Sequence, residues 1–282
     1  MLRDRRSQSV QSIYWRIIKR AVKRFLLRGF IERDGSYSTE EYSCLWGNVN
    51  GGLGGYWRRV VLGWQDGQLI LCRGLDFQKA GIQAISRAIR GAAPGSVLEL
   101  GSGNGFNLLA LSVLHPEIKK WQGVEFTKSG IAASEKFKLE PPFDALIYVT
   151  ELPREEIVRR LSKVRLEFCE GNVLALSFGD RSFDFVFSHL VIEQMPRTYP
   201  KAFAEAGRVA RHFVCFVEGF REAQKNIFQL IHLKTCDYFR SSVSVVEQAG
   251  LKILKFEHLP LNKIGQSAGL LLCAPAKAGK GS

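Results

Sequence analysis

The sequence predicts an α/β fold: a doubly wound, mainly parallel sheet with helices on both faces, preceded by an N-terminal helical and aromatic extension. Two observations carry that expectation. From Asp76 onward short apolar runs alternate with segments of helical period, as expected of parallel strands joined by right-handed crossovers. Within this stretch VLELGSGNGFN, Val97 to Asn107, is an apolar run that breaks into three glycines at alternate positions. A buried parallel strand that turns sharply into a helix needs such a break, because the backbone must bend where a side chain would obstruct it.

Residues 1–75 form the extension. Tyr14, Ile17, Ile18, Ala21, Val22 and Phe25 fall on one helical face, while Arg16, Lys19, Arg20, Lys23 and Arg24 line the other, so a basic amphipathic helix is expected. The segment from Glu32 to Ile70 is rich in Tyr, Trp and Gly and does not read as regular structure. Gly51, Gly52, Gly54 and Gly55 would permit a mobile loop. Tyr37, Tyr42, Trp46, Tyr56 and Trp57 offer flat faces either to a substrate or to the sheet beneath.

Residues 76–275 form the main domain. Asp76 to Arg90 is expected to be a helix leading through Pro94 and Gly95 into the first strand, and Phe106 to Leu114 is the helix that returns along the sheet. Lys119 to Phe126 reads as the second strand and Thr127 to Lys138 as the next crossover helix. The stretch Leu139 to Val164 exceeds a normal connection. Within it Phe143 to Val149 reads as an extra strand and Arg154 to Lys163 as a helix, with no role assigned. Arg165 to Val173 and Ser182 to Ser188 are the third and fourth strands, and His212 to Val217 the fifth. A helix within Thr235 to Ala249, ended by Gly250, precedes two strands at Leu251 to Phe256 and Ala268 to Cys273. Residues 276–282 read as a flexible tail.

Four segments in order narrow the function. The loop spacing is G-x-G-x-G, with Phe106 where a dinucleotide fingerprint would place its last glycine. Glu99 stands two residues before the first glycine. Glu125 closes the second strand twenty residues after Gly105, where a carboxylate can accept hydrogen bonds from both ribose hydroxyls. EGNV ends the third strand, and SFDFVFS forms the fourth, followed by HLVIEQM. Over residues 76–275 this order resembles the class I S-adenosylmethionine-dependent methyltransferases, of the methyltransferase type 11 kind.

The resemblance implies a Rossmann-like sheet whose last strand is inserted antiparallel, and S-adenosyl-L-methionine as cofactor. It places Glu99, Gly101, Ser102, Gly103, Asn104, Gly105, Glu125, Phe126, Asn172, Val173 and Ser188 around that cofactor. The end of the fourth strand would face the substrate, which makes His189 the first candidate base and Glu193 the second. VIEQM departs from the family's frequent Leu-Glu-His by carrying Gln194, and a neutral amide cannot act as a base near pH 7. His232 and Asp237 are further candidates from the substrate side. A histidine that merely hydrogen-bonds near the cofactor is the competing account of His189.

The expected activity is methyl transfer to a small or amphipathic organic acceptor. Two alternatives stay open: a non-catalytic cofactor-binding or membrane-associated protein that keeps the fold, and a nucleotide-cofactor oxidoreductase. At 282 residues and 46% hydrophobic the chain can bury a sizeable core. Its six cysteines, Cys44, Cys72, Cys169, Cys215, Cys236 and Cys273, are scattered without a C-x-x-C pair. No metal site is therefore expected, and with no secretory signal in view the expectation is a cytoplasmic protein. The net charge of +13 is concentrated at the start, where residues 1–31 hold nine Lys or Arg against a single acid, Asp4. Three readings of that helix follow: packing on the domain, peripheral contact of residues 10–30 with an anionic membrane at its inner surface, and contact with nucleic acid. No nucleic-acid module accompanies the charge, which leaves the last reading weakest.

Overall fold

The structure is a computed structural model that describes residues 10–26 and 55–276. The candidate aromatics Tyr37, Tyr42 and Trp46, the glycines 51, 52 and 54, Cys44 and the tail from 277 lie outside the described residues.

A seven-stranded sheet organises the domain. Its strands are β3 (Ser96–Leu100), β4 (Lys120–Glu125), β5 (Arg165–Glu170), β6 (Phe183–His189), β7 (Ala210–Glu218), β8 (Leu251–His258) and β10 (Gly269–Pro275). They lie in the order β5-β4-β3-β6-β7-β10-β8. The first five run parallel, and β10 is antiparallel to both its neighbours. The Rossmann-like sheet with an inserted antiparallel last strand is thus observed. Because β4 and β6 flank β3 on opposite sides, the chain changes direction at β3, and its carboxyl end is the switch point at which sheets of this kind form their binding crevice.

Alternate residues of the strands feed two cores. Val97, Trp121, Phe185 and Phe187 pack on the face covered by α3 (Gly74–Ala92) and α4 (Phe106–Leu114). Leu98, Leu100, Val124, Val186 and Phe216 face the other way, towards α8 (Tyr199–Val209). Between β4 and β5 run α5 (Lys128–Leu139), α6 (Phe143–Thr150) and α7 (Arg154–Leu161). Where a strand was expected at 143–149, α6 is found: Ala145, Leu146 and Val149 point inward at helical spacing and bury against the α3/α4 face. This insertion props the helices beside the crevice. Lys79 of α3 donates to the Tyr148 carbonyl at 3.0 Å and pairs with Glu151 at 2.6 Å, while Arg160 reaches the Val113 carbonyl at 3.0 Å near the end of α4.

Two regions depart from the expectation. Part of the irregular aromatic segment is a hairpin of β1 (Val60–Gln65) and β2 (Gln68–Arg73), joined to the short β9 (Leu261–Lys263) in a three-stranded sheet β2-β1-β9. Its two-residue turn, Asp66-Gly67, has φ of 50° and 81°, the left-handed pair that the twist of a tight hairpin requires. The helix expected within 235–249 falls earlier, as α9 (Ile227–Cys236), and residues 243–249 form a 3-10 turn instead. The short α2 (Gly55–Arg58) carries Trp57, whose ring lies 4.5 Å from that of Phe106 and packs on the core, the buried alternative for this residue.

The basic helix is α1 (Val10–Leu26). Its Ile17 is buried, Tyr14 stacks on Phe228 of α9 at 4.4 Å, and Asn226 donates to the Tyr14 hydroxyl at 3.3 Å. Of the three readings for this helix, packing on the domain is the one seen. Among the described residues no helix is long and apolar enough to cross a membrane.

Candidate active site

The crevice floor is the loop between β3 and α4. Gly101, Gly103 and Gly105 have φ of 64°, 53° and 74°, and a Cβ built on Gly101 would lie 2.7 Å from the Val191 side chain. Neither the backbone angle nor the space admits an L side chain there. The loop is pinned from beneath. Ser102 N–H donates to the Val124 carbonyl at 2.8 Å, and the Asn104 side chain accepts from Phe106 N–H at 3.2 Å, which satisfies one of the open donors at the start of α4.

Two buried acids flank the loop. Glu99 accepts from the Asn107 amide through Oε1 at 2.9 Å, while its Oε2 and the Ser102 hydroxyl are buried without a partner. Burial, with a minor push from the Glu125 charge, raises Glu99 to about 8. The carboxylate of Glu125 accepts from Gly103 N–H at 3.0 Å, from Thr127 N–H at 3.0 Å and from the Thr127 hydroxyl at 2.7 Å. It therefore ties the loop to the start of α5. A carboxylate has about four acceptor positions, so about one remains after those three bonds.

Around these acids the expected residues separate. Phe126 is 51% exposed at the tip of β4, a bare aromatic face beside the crevice. The Asn172 side chain accepts from Leu174 N–H at 2.9 Å and shapes the turn after β5, and Val173 is buried in the second core. Ser188, paired with Leu100 beside the loop, is fully buried and donates its hydroxyl to Glu218 at 2.7 Å.

His189 belongs to a chain of amides. Gln78 of α3 donates to the Asn107 side chain, Asn107 donates to Glu99, and both amide nitrogens lie 3.4 Å from His189 Nδ1. Facing two donors, Nδ1 is the acceptor and Nε2 carries the proton. The ring lies across α3 at Gly81, where a Cβ would come within 2.4 Å of Nε2. Burial, reinforced by the nearby Lys263 charge, pushes the imidazole down to about 4. It is neutral at physiological pH, and with Nδ1 facing the two amides its Nε2–H is the donor it presents.

Glu193 lies after β6 and accepts from the Gln194 amide at 3.0 Å and the Gln266 amide at 2.5 Å. Burial raises its pKa, opposed by Lys263. Behind it, Glu218 accepts from Ser188, from Val191 N–H at 3.0 Å and from Glu193 N–H at 3.3 Å, and burial raises it to about 8. This fully buried acid holds the β6–α8 connection in shape. His232 and Asp237 lie apart, in and just after α9, where His232 rests against Cys236 at 3.7 Å and Asp237 pairs with Arg197 at 3.4 Å.

A methyltransferase domain family matches residues 98–213, a stretch that begins in β3 and ends in β7. That stretch is similar to the family over 116 residues, holding the glycine loop, Glu125 and the β6 end. A search of curated proteins finds no match to this sequence. Among solved structures the chain is similar to an S-adenosylmethionine-dependent methyltransferase from Methanosarcina mazei, with 15% identity over 64% of this chain and 92% of that one at a TM-score of 0.49. Similar too are the [4+2]-cyclase SpnF (13% identity, 69% and 82% covered, TM-score 0.48) and geranyl diphosphate C-methyltransferase from Streptomyces coelicolor A3(2) (10%, 64% and 72%, 0.46).

The loop fits the cofactor of the matched family. A Cβ at Gly101 or Gly105 would strike the side chain of Val191 or Phe168, so only glycine lets the loop lie there, and two buried polar atoms, Glu99 Oε2 and Ser102 Oγ, stand without partners beside it. Buried polar groups are normally paired, so orphans at a loop of this shape point to a polar ligand. Among the described residues no group of three His, Cys, Asp or Glu side chains is placed to hold a metal ion.

Glu218, Asn107, Gln78 and Lys263 are the residues around this site that sequence reasoning missed. Glu218 had a signal: like Glu99 and Glu125 it is a lone acid closing an apolar strand, in FVCFVEG. Gln78, Asn107 and Lys263 come from elements far apart in the chain, and nothing in their neighbours marks them.

Proposed function

We propose that the protein transfers a methyl group from S-adenosyl-L-methionine to a small or amphipathic organic acceptor. The observation that carries this is the left-handed glycine loop set between two buried acids, with Glu99 Oε2 and Ser102 Oγ unpartnered beside it. In this reading the cofactor's methionine end lies on Gly101–Gly105 against Glu99 and Ser102. Its ribose lies by the remaining acceptor position of Glu125, and its adenine between Phe126 and the Asn172–Val173 turn. Bound there, the cofactor supplies a methyl group on a good leaving group.

The protein's own part is then mainly alignment, and holding a nucleophile at near-attack distance can remove about 7–11 kcal/mol of barrier at best. His189 offers its Nε2–H to orient the acceptor. Glu193, with its raised pKa, is the residue suited to take a proton from it. Phe106, buried where a dinucleotide loop needs glycine, weighs against the oxidoreductase alternative.

Calorimetric titration with S-adenosylhomocysteine and with NADH tests the reading. Binding of the first alone is expected, weakened at least about tenfold by Glu125→Ala through loss of charged hydrogen bonds. Binding of NADH, or an unchanged affinity in Glu125→Ala, would overturn the assignment.

A further inference from the structure

The chain leaves β6 through a strained backbone. Leu190, the residue after the strand, has φ of 57°, in the left-handed region where the Cβ of a leucine crowds the carbonyl that follows it. Such a conformation persists only where the surroundings fix it. Here they do so from β7: Leu190 N–H donates to the Val217 carbonyl at 2.9 Å, while Val191 N–H and the Ser188 hydroxyl both donate to Glu218 Oε1, at 3.0 and 2.7 Å.

The turn sends successive side chains in different directions. His189 lies along α3 against Gly81, Leu190 enters a cleft that it lines with Phe77, Leu259 and Leu261, and Val191 comes down on the glycine loop. Both methyls of Val191 stand 2.7 Å from the position that a Cβ on Gly101 would take. Gly101 is the first residue after β3, so Val191 covers the start of the loop, while beside Gly105 the loop meets Phe168 instead. Val191 is half-buried. It thus stands on the β6 side of the cradle, next to the residue that lines the cleft.

With the ribose by Glu125, as proposed above, the cofactor's transferable group lies towards β6. Val191 is suited to meet it there. It carries no polar atom, and its branched Cβ leaves it few rotamers, so it cannot swing aside as a longer unbranched side chain would. Its backbone is held at both ends, by Glu218 at the N–H and by Gln194, whose N–H donates to the Val191 carbonyl at 3.2 Å.

We propose that Val191 is the wall against the cofactor's transferable alkyl group and restricts that group to methyl. The inference rests on the methyl-transfer reading. It makes Val191 a specificity-determining residue, and the left-handed turn at Leu190 the device that aims it.

Calorimetric titration of the full chain with S-adenosylmethionine and with S-adenosylethionine, its S-ethyl analogue, tests this. One methylene in an apolar pocket is worth about 10–200-fold, so the wild type is expected to bind the ethyl compound at least about tenfold more weakly. Val191→Ala should bring the two affinities within about threefold, Val191→Ile should widen the gap, and Val191→Thr, of the same shape as valine, should keep it. Because the ratio is taken within each protein, a general weakening of cofactor binding in a variant does not enter it. Equal binding of the two compounds by the wild type, or the same ratio in Val191→Ala as in the wild type, would overturn the proposal and leave the methyl-transfer reading standing. A wild type that binds neither S-adenosylmethionine nor S-adenosylhomocysteine would sink that reading, and the role of Val191 with it.

Discussion

The two halves of the crevice are built differently. On the β3–β4 side the site is backbone: three left-handed glycines, a helix start and one clamped acid, all within Glu99 to Thr127. On the β6–β7 side it is side chains drawn from α3, α4, β6, β7 and the loop after β9, linked through Gln78, Asn107, His189, Glu193, Glu218 and Gln266. A backbone cradle suits a constant cofactor, because few substitutions preserve it. A side-chain network can change one member at a time, which suits a variable acceptor.

That contrast sets an order of sensitivity. Gly101→Ala should have the largest effect: about 1–2 kcal/mol from the left-handed backbone, and a further ~1–3 kcal/mol from overpacking against Val191. Calorimetry should find S-adenosylhomocysteine binding lost in that variant, and wild-type affinity would show the cradle to be less exacting than its geometry indicates.

Gly81→Ala should come next, since its Cβ would enter the His189 ring. Chemical denaturation should show a loss of about 1–3 kcal/mol, largely recovered in the double variant with His189→Ala. Strictly additive losses would mean that the ring does not pack there.

Acidity gives a third, smaller effect. Glu99 and Glu218 are raised to about 8, so the folded protein holds protons that the unfolded chain has released above about 4.5. Stability from these groups is complete at low pH and falls as pH rises towards 8. His189, lowered to about 4, acts oppositely and only below about 6.5. Between pH 6.5 and 8 the melting temperature should therefore fall, and Glu99→Gln and Glu218→Gln should each flatten the fall. A melting temperature that rises across this window would contradict the burial of both acids. Smallest of all, Tyr14→Ala should cost about 0.5–1.5 kcal/mol through its stack on Phe228.

The same contrast explains what could be read from the sequence. The order of strands and crossover helices was legible from Asp76 onward because apolar runs and glycine breaks are local signals. So were the loop, Glu99 and Glu125. The β1–β2 hairpin was legible in principle, through Asp66-Gly67, and was obscured by the aromatic and glycine content around it. At 143–149 a run of seven residues was too short to separate helix from strand by pattern. The β6–β7 side was not legible. Lys263 and His189 are separated by 74 positions and meet only through the β1–β9 pairing and the packing of α3. The bond from Ser188 to Glu218 was not legible either, because Glu218 lies on the next strand, 30 residues on.

The central claim is that the tips of β3 and β4 grip one adenosyl cofactor across the glycine loop. A crystal structure of the full chain grown with S-adenosylhomocysteine tests it most directly. The account predicts the ligand along Gly101–Gly105, with Glu99 Oε2 and Ser102 Oγ now paired and Phe126 covered. A loop left empty with the same two atoms still unpartnered, or the ligand bound elsewhere, would contradict it.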